Sequence, residues 1–194
     1  MNFLAHLYLS HHDHDLMIGN FIADAIRKVQ WKEYTPEIIK GIEMHHFIDD
    51  FTDTHAVVKE SKARLYKDFR KYAPVIVDVF YDHFLAKNWE HYHPQKLQDF
   101  TAAFYALTNS RKEGLPEHIQ NMLPYMISND WLYNYSKIEG INKSLTGMSR
   151  RSKFDNNMNL ASKALEEHLD AFKDEFERFF PELEAGCKNW LLRY

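Results

Sequence analysis

Apolar residues recur along this chain at intervals of three and four, and no strict alternation of two persists, so the elements it predicts are helices. A short one covers about Asn2 to Leu9. The polar loop Ser10-His11-His12-Asp13-His14-Asp15 separates it from a second, over about Leu16 to Lys28. Thr35-Pro36-Glu37 is a start signal: a capping threonine, proline at the first helical position and an early acid. The helix it opens carries Ile38, Ile39, Ile42, Phe47 and Ile48 and should reach about Phe51. A charged amphipathic helix follows from about His55 to Tyr72, with Val57, Val58, Leu65 and Phe69 inward. Pro74 opens the next, which carries Val75, Val79, Phe80, Phe84 and Leu85. Further helices are expected over about Pro94 to Thr108, over Glu117 to Ile127 and from Trp131 to Tyr135, and Gly140 and Gly147 punctuate the stretch beyond. The last runs from about Asp155 to Phe180 and should stop at Pro181. Its Leu165, Leu169, Phe172, Phe176 and Phe179 form one face. The expected fold is all-α: a single-domain compact helical bundle over residues 1–194.

Four stretches interrupt this pattern with ionisable groups where a helix would bury a hydrophobe. They are Asn2-Phe3-Leu4-Ala5-His6-Leu7, Gly19-Asn20-Phe21-Ile22-Ala23-Asp24, Met44-His45-His46-Phe47-Ile48-Asp49 and Asp78-Val79-Phe80-Tyr81-Asp82-His83-Phe84. A lone buried charge costs several kcal/mol, so such groups pair or bind a metal. Their number in one small chain suggests a shared polar centre. His45 and Asp49 are four apart and share a helix face, a spacing that lets two ligands grip one ion. The simpler reading is a His–Asp hydrogen bond that only orients the helix. Asp78 and Asp82 repeat the spacing among aliphatic neighbours. Two like charges on one buried face require a proton on one of them or a cation between them, unless one reaches water. Asp24 could cap the helix or pair with Arg27, and His6 could be a hydrogen-bonded core residue. The loop histidines His11, His12 and His14 lack a rigid scaffold and are set aside.

Composition narrows the chemistry. The 194 residues are 45% hydrophobic and 15% aromatic, enough for a real core. Six glycines and six prolines speak against a turn-rich β fold. The net charge of −4 offers no global field for nucleic acid or an anionic membrane. One cysteine, Cys187, excludes an internal disulfide and a cysteine-rich zinc site. His6 interrupts the N-terminal apolar run, and the stretch around Ala73 to Phe84 is too short and polar to span a bilayer, so a cytoplasmic protein is expected. The donors are imidazole and carboxylate without thiolate, which favours Mn²⁺, Fe²⁺, Mg²⁺ or a catalytic Zn²⁺ and a hydrolytic reaction. No Gly-rich phosphate loop, G-x-S-x-G elbow or H-E-x-x-H sequence is present.

The opening Met1-Asn2-Phe3-Leu4-Ala5-His6-Leu7, the Gly19–Asp24 segment, Met44-His45 with Ile48-Asp49, Asp78 with Asp82-His83-Phe84-Leu85, and Gly147-Met148-Ser149-Arg150-Arg151 together resemble the acyl carrier protein phosphodiesterases. That family is regarded as a divergent branch of the HD-type metal phosphohydrolases. The resemblance implies removal of 4′-phosphopantetheine from holo acyl carrier protein, dependence on a divalent metal, typically Mn²⁺, and a small acidic helical protein as partner. It implies metal ligands among Asp24, His45, Asp49, Asp78 and Asp82, and proton transfer or catalysis by His6, His83 or Asp82. Arg150 and Arg151 become candidates for the phosphate or the partner, or else ordinary surface charge. The His-Asp dipeptide of ordinary HD enzymes is absent: Asp82-His83 reverses it, and His45 and Asp49 are separated. The alternatives are an HD-type phosphohydrolase of a nucleotide or other small phosphoester, and a non-enzymatic all-α protein that binds acyl carriers or metal.

Overall fold

The computed structural model describes residues 1–194. Its helices are α1 (Phe3–Leu9), α2 (His14–Ile22), α3 (Pro36–Thr54), α4 (Ala56–Phe69), α5 (Ala73–Lys87), α6 (Trp89–Tyr92), α7 (Leu97–Ser110), α8 (Glu117–Ser128), α9 (Trp131–Asn134), α10 (Ile138–Arg151), α11 (Ala161–Glu167) and α12 (Leu169–Arg193). There is no strand, so the class is all-α. One hydrophobic cluster runs from Met1 on one end to Cys187 on the other, so the first and last helices share a core. None of the helices is long and apolar enough to cross a membrane.

Local signals act where expected at several ends. The Thr35 hydroxyl accepts the Ile38 N–H at 3.4 Å and Pro36 begins α3. Pro74 lies in the first turn of α5. Two ends differ. α2 stops at Ile22, where the chain tightens into a 3₁₀ turn over Ala23–Ala25 and then extends at Ile26. The apolar face is finished by then, and Asp24, Arg27 and Lys28 go to solvent. The expected last helix divides at His168 into α11 and α12, and α12 passes through Pro181. Proline removes one backbone hydrogen bond, but Phe179 and Phe180 before it and Leu183 and Cys187 after it are fully buried, and this packing holds the helix together.

Two contacts position the polar stretches. The first is the crossing of α2 and α3, where Gly19 faces Gly41. A β-carbon at Gly19 would lie 2.0 Å from the Ile38 carbonyl oxygen, and one at Gly41 would lie 2.4 Å from that of Leu16. Only glycine allows the two backbones this close, and the crossing sets the end of α2 against the middle of α3. The second is the start of α1. The Asp82 carboxylate, on α5, accepts the backbone N–H groups of Asn2 at 3.2 Å, Leu4 at 2.7 Å and Ala5 at 3.3 Å. A helix start needs acceptors for its free N–H groups and favours negative charge. A remote residue supplies both, because the Asn2 side chain makes no cap.

Candidate metal centre

His6 comes from α1, Asn20 and Asp24 from α2 and the turn after it, and His45 and Asp49 from α3. His6 and His45 stack with ring centroids 4.1 Å apart and planes 18° from parallel. Asn20, almost wholly buried, orients both rings. Its amide group donates to the His6 carbonyl at 3.0 Å and to the Ser10 hydroxyl at 3.2 Å. Its Oδ1 is therefore the acceptor toward His6 Nδ1 at 2.7 Å. Its backbone carbonyl, which can only accept, faces His45 Nδ1 at 2.9 Å. Both imidazoles thus carry their hydrogen on Nδ1 and turn the lone pair of Nε2 the other way.

Those lone pairs meet other acceptors. His6 Nε2 lies 3.3 Å from Asp49 Oδ1 and 3.1 Å from the Met1 carbonyl. His45 Nε2 lies 3.1 Å from Asp49 Oδ2 and 3.3 Å from Asp24 Oδ1, yet it is buried and makes no hydrogen bond with either. Donor atoms of His6, His45 and Asp49 all fall within 4.8 Å of one another. Such convergence of lone pairs is stable only around a cation. Burial opposes a charge on His45, but Asp24 and Asp49 lift its pKa to about 9. Burial and the neighbouring His45 lower His6. Burial would raise Asp49, but the two histidines hold it well below the usual carboxylate range; His45 likewise lowers Asp24, against burial. The donor set and the fixed Nδ1–H groups fit a divalent ion, since a metal-bound histidine is ordinarily held this way through its other nitrogen.

Asp78 and Asp82 sit beside this group. The N-terminal ammonium of Met1 is 3.0 Å from Asp78 Oδ1 and 4.0 Å from Asp49 Oδ1, which places Asp78 within 7.0 Å of Asp49. Asp82, fully buried, is surrounded by the α1 amides. Burial pushes its pKa up to about 7, against the nearby ammonium and those hydrogen bonds. The cation that two like-charged carboxylates call for is here the Met1 ammonium.

His83 faces elsewhere. Its Nδ1 meets the Tyr135 carbonyl at 2.7 Å and its Nε2 is buried without a partner. The Tyr135 hydroxyl accepts from the Asn2 amide at 3.1 Å. Burial pushes the Tyr135 phenol well above its ordinary range, Asp82 adds to this, and the Arg151 charge opposes it. Arg150 and Arg151 end α10, both exposed. His46 points outward and stacks on Trp31 at 5.9 Å. His12 meets His93 at 2.8 Å, and neither is among the donors of the centre.

The residue that reasoning from sequence passed over is Asn20. Its only signal was its place beside Asp24 in the Gly19–Asp24 stretch. The centre opens at Asp24, whose side chain is 82% exposed, whereas the histidines are buried behind it.

The model of the acyl carrier protein phosphodiesterase family matches residues 1–183 of the chain. An acyl carrier protein phosphodiesterase of Yersinia pestis is 34% identical over 190 residues, covering 97% of this chain and 98% of that protein. One from Enterobacter sp. (strain 638) is 34% identical over 191 residues with the same coverage, and one from Salmonella dublin is 33% identical over 186 residues, covering 95% and 96%. No solved structure matches the chain.

Proposed function

The chain belongs to the acyl carrier protein phosphodiesterase family, and from that premise we propose that it hydrolyses the phosphodiester joining 4′-phosphopantetheine to the serine of holo acyl carrier protein, leaving the apo carrier. The observation that carries this reading is the pair His6 and His45, each held through Nδ1 by Asn20 and each turned through Nε2 toward Asp49. His6, His45 and Asp49 would hold one divalent ion, with Asp24 at the open edge; the donor set favours Mn²⁺, with Mg²⁺ or Fe²⁺ as substitutes. Such an ion supplies a Lewis acid for the phosphoryl oxygens and lowers the pKa of bound water.

The chain's own residues do the rest. Asn20 keeps both imidazoles in the ligating tautomer. The buried faces of α1, α2 and α3 exclude solvent from behind. Asp24 Oδ1, 3.3 Å from His45 Nε2 and open to solvent, is placed to take the proton that an attacking water loses. In this reading His6 serves as a ligand, because its free nitrogen faces Asp49. Asp78 and Asp82 serve the start of α1, and through it the position of His6. The imidazole and carboxylate donors support a kinship with HD-type phosphohydrolases in which His45 and Asp49, four residues apart, stand in for their adjacent pair.

The test is to incubate metal-free protein with holo acyl carrier protein, with and without Mn²⁺, and to weigh the intact carrier. Metal-dependent loss of the phosphopantetheine mass is expected. A carrier unchanged in both tubes would overturn the proposal and direct attention to small phosphoesters, beginning with a nucleotide panel.

A further inference from the structure

We propose that two basic segments, Arg70–Lys71 and Arg150–Arg151–Lys153, which meet at the exposed ring of Phe154, form the surface on which the acidic carrier protein docks while its prosthetic group enters the His6–His45–Asp49 centre; this rests on the function proposed above. The five cations come from two segments some 80 residues apart. The Tyr72 hydroxyl and the Ser152 hydroxyl join those segments at 2.6 Å. Lys71 Nζ sits 3.7 Å over the Phe154 ring and Lys153 Nζ lies 5.9 Å from its centroid, yet the residue remains 57% exposed. The loop is pinned from below: Ser152 Oγ and Asn156 Nδ2 donate to the Phe154 carbonyl at 3.2 and 3.0 Å. An aromatic ring held open to water between two lysines suits an acidic partner with an apolar contact point.

Three further observations favour this surface. The chain carries a net charge of −4, so the concentration of cations is local. Arg70 has φ 48°, a left-handed backbone that costs a non-glycine residue about 1–3 kcal/mol, and strain of this kind clusters at functional sites. Arg64, on α4, is by contrast engaged internally: it pairs with buried Glu175 and lies over the Phe172 ring. The location is also suitable. Tyr72 adjoins α5, and Asp78 follows six residues later, about 9 Å along the helix. Asp78 is within 7.0 Å of Asp49. The patch is thus linked to the centre through the first turns of α5, and a phosphodiester attached to the carrier's own surface needs docking on that side of the protein.

Binding of fluorescently labelled holo acyl carrier protein should be followed by anisotropy, apart from turnover. The double variant Lys71→Glu, Lys153→Glu is expected to weaken binding by about tenfold at low salt and to flatten its salt dependence. It should raise KM while leaving kcat and Tm unchanged, and Lys71→Arg, Lys153→Arg should bind as wild type does. Wild-type affinity in the charge-reversed variant would overturn the docking surface even where wild-type protein converts the carrier. Binding that behaves as expected without conversion would instead fail the proposed reaction alone.

Discussion

Asn20 and His6 meet at 2.7 Å, side chain to side chain, both buried. The same asparagine holds His45 through its backbone carbonyl at 2.9 Å. One residue on α2 therefore sets the free nitrogens of two rings on two other helices. It also closes a network through the His6 carbonyl and Ser10.

Asn20→Ala should leave the His45 contact, which is to backbone, and release His6. Partners of this kind are ordinarily worth about 10–100-fold in metal affinity. We expect Mn²⁺ titration by calorimetry to show a loss of that size. Unchanged affinity would remove Asn20 from the centre.

Gly19→Ala and Gly41→Ala should each destabilise the protein by about 1–3 kcal/mol or more, because each new methyl meets backbone atoms, which cannot rotate aside. Gly114 has nothing within 4 Å of a built β-carbon, so Gly114→Ala should melt like the wild type. Thermal unfolding followed by circular dichroism compares the three. Turnover should fall in the first two, since the crossing carries Asn20 to His45.

Asp49 and Asp82 should fail differently. Asp82→Ala leaves three N–H groups at the start of α1 without their acceptor and should cost about 2–3 kcal/mol of stability. Asp49→Ala should keep Tm close to wild type and lose at least about 100-fold in turnover, as removal of a ligand would. Equal melting temperatures for the two variants would contradict the division of roles.

Cys187 is fully buried, and burial pushes its thiol up to about 12. The native thiol should not react with a disulfide reagent at pH 8, and guanidinium should expose one equivalent. The folded state keeps the proton longer than the unfolded one, so this group's contribution to stability is intact below about pH 9 and declines between about pH 9 and pH 12. Cys187→Ala should lose that part of the alkaline decline, as Tm measured across the range would show.

What the sequence by itself determined is what local physics governs. The period of three and four makes helices, Thr35 and Pro36 start one, and histidines and aspartates on apolar faces must find a counter-charge wherever they are buried. Which stretches carry buried polar groups was legible for that reason, the part played by Asn20 apart. The division of labour inside it was not. His45–Asp49 and Asp78–Asp82 share one spacing, and spacing specifies only which face of a helix a side chain occupies. Packing decides what stands opposite. His6 and Asn20 stand opposite the first pair, the Met1 ammonium and the α1 amides opposite the second. The passage of α12 through Pro181 has the same origin: burial of Leu183 and Cys187 by other helices outweighs a local signal to stop. Only the tertiary structure brings Lys71 and Tyr72 beside Ser152 and Phe154, because contacts between segments so far apart in sequence depend on how α5 and α10 pack and not on either segment's own pattern.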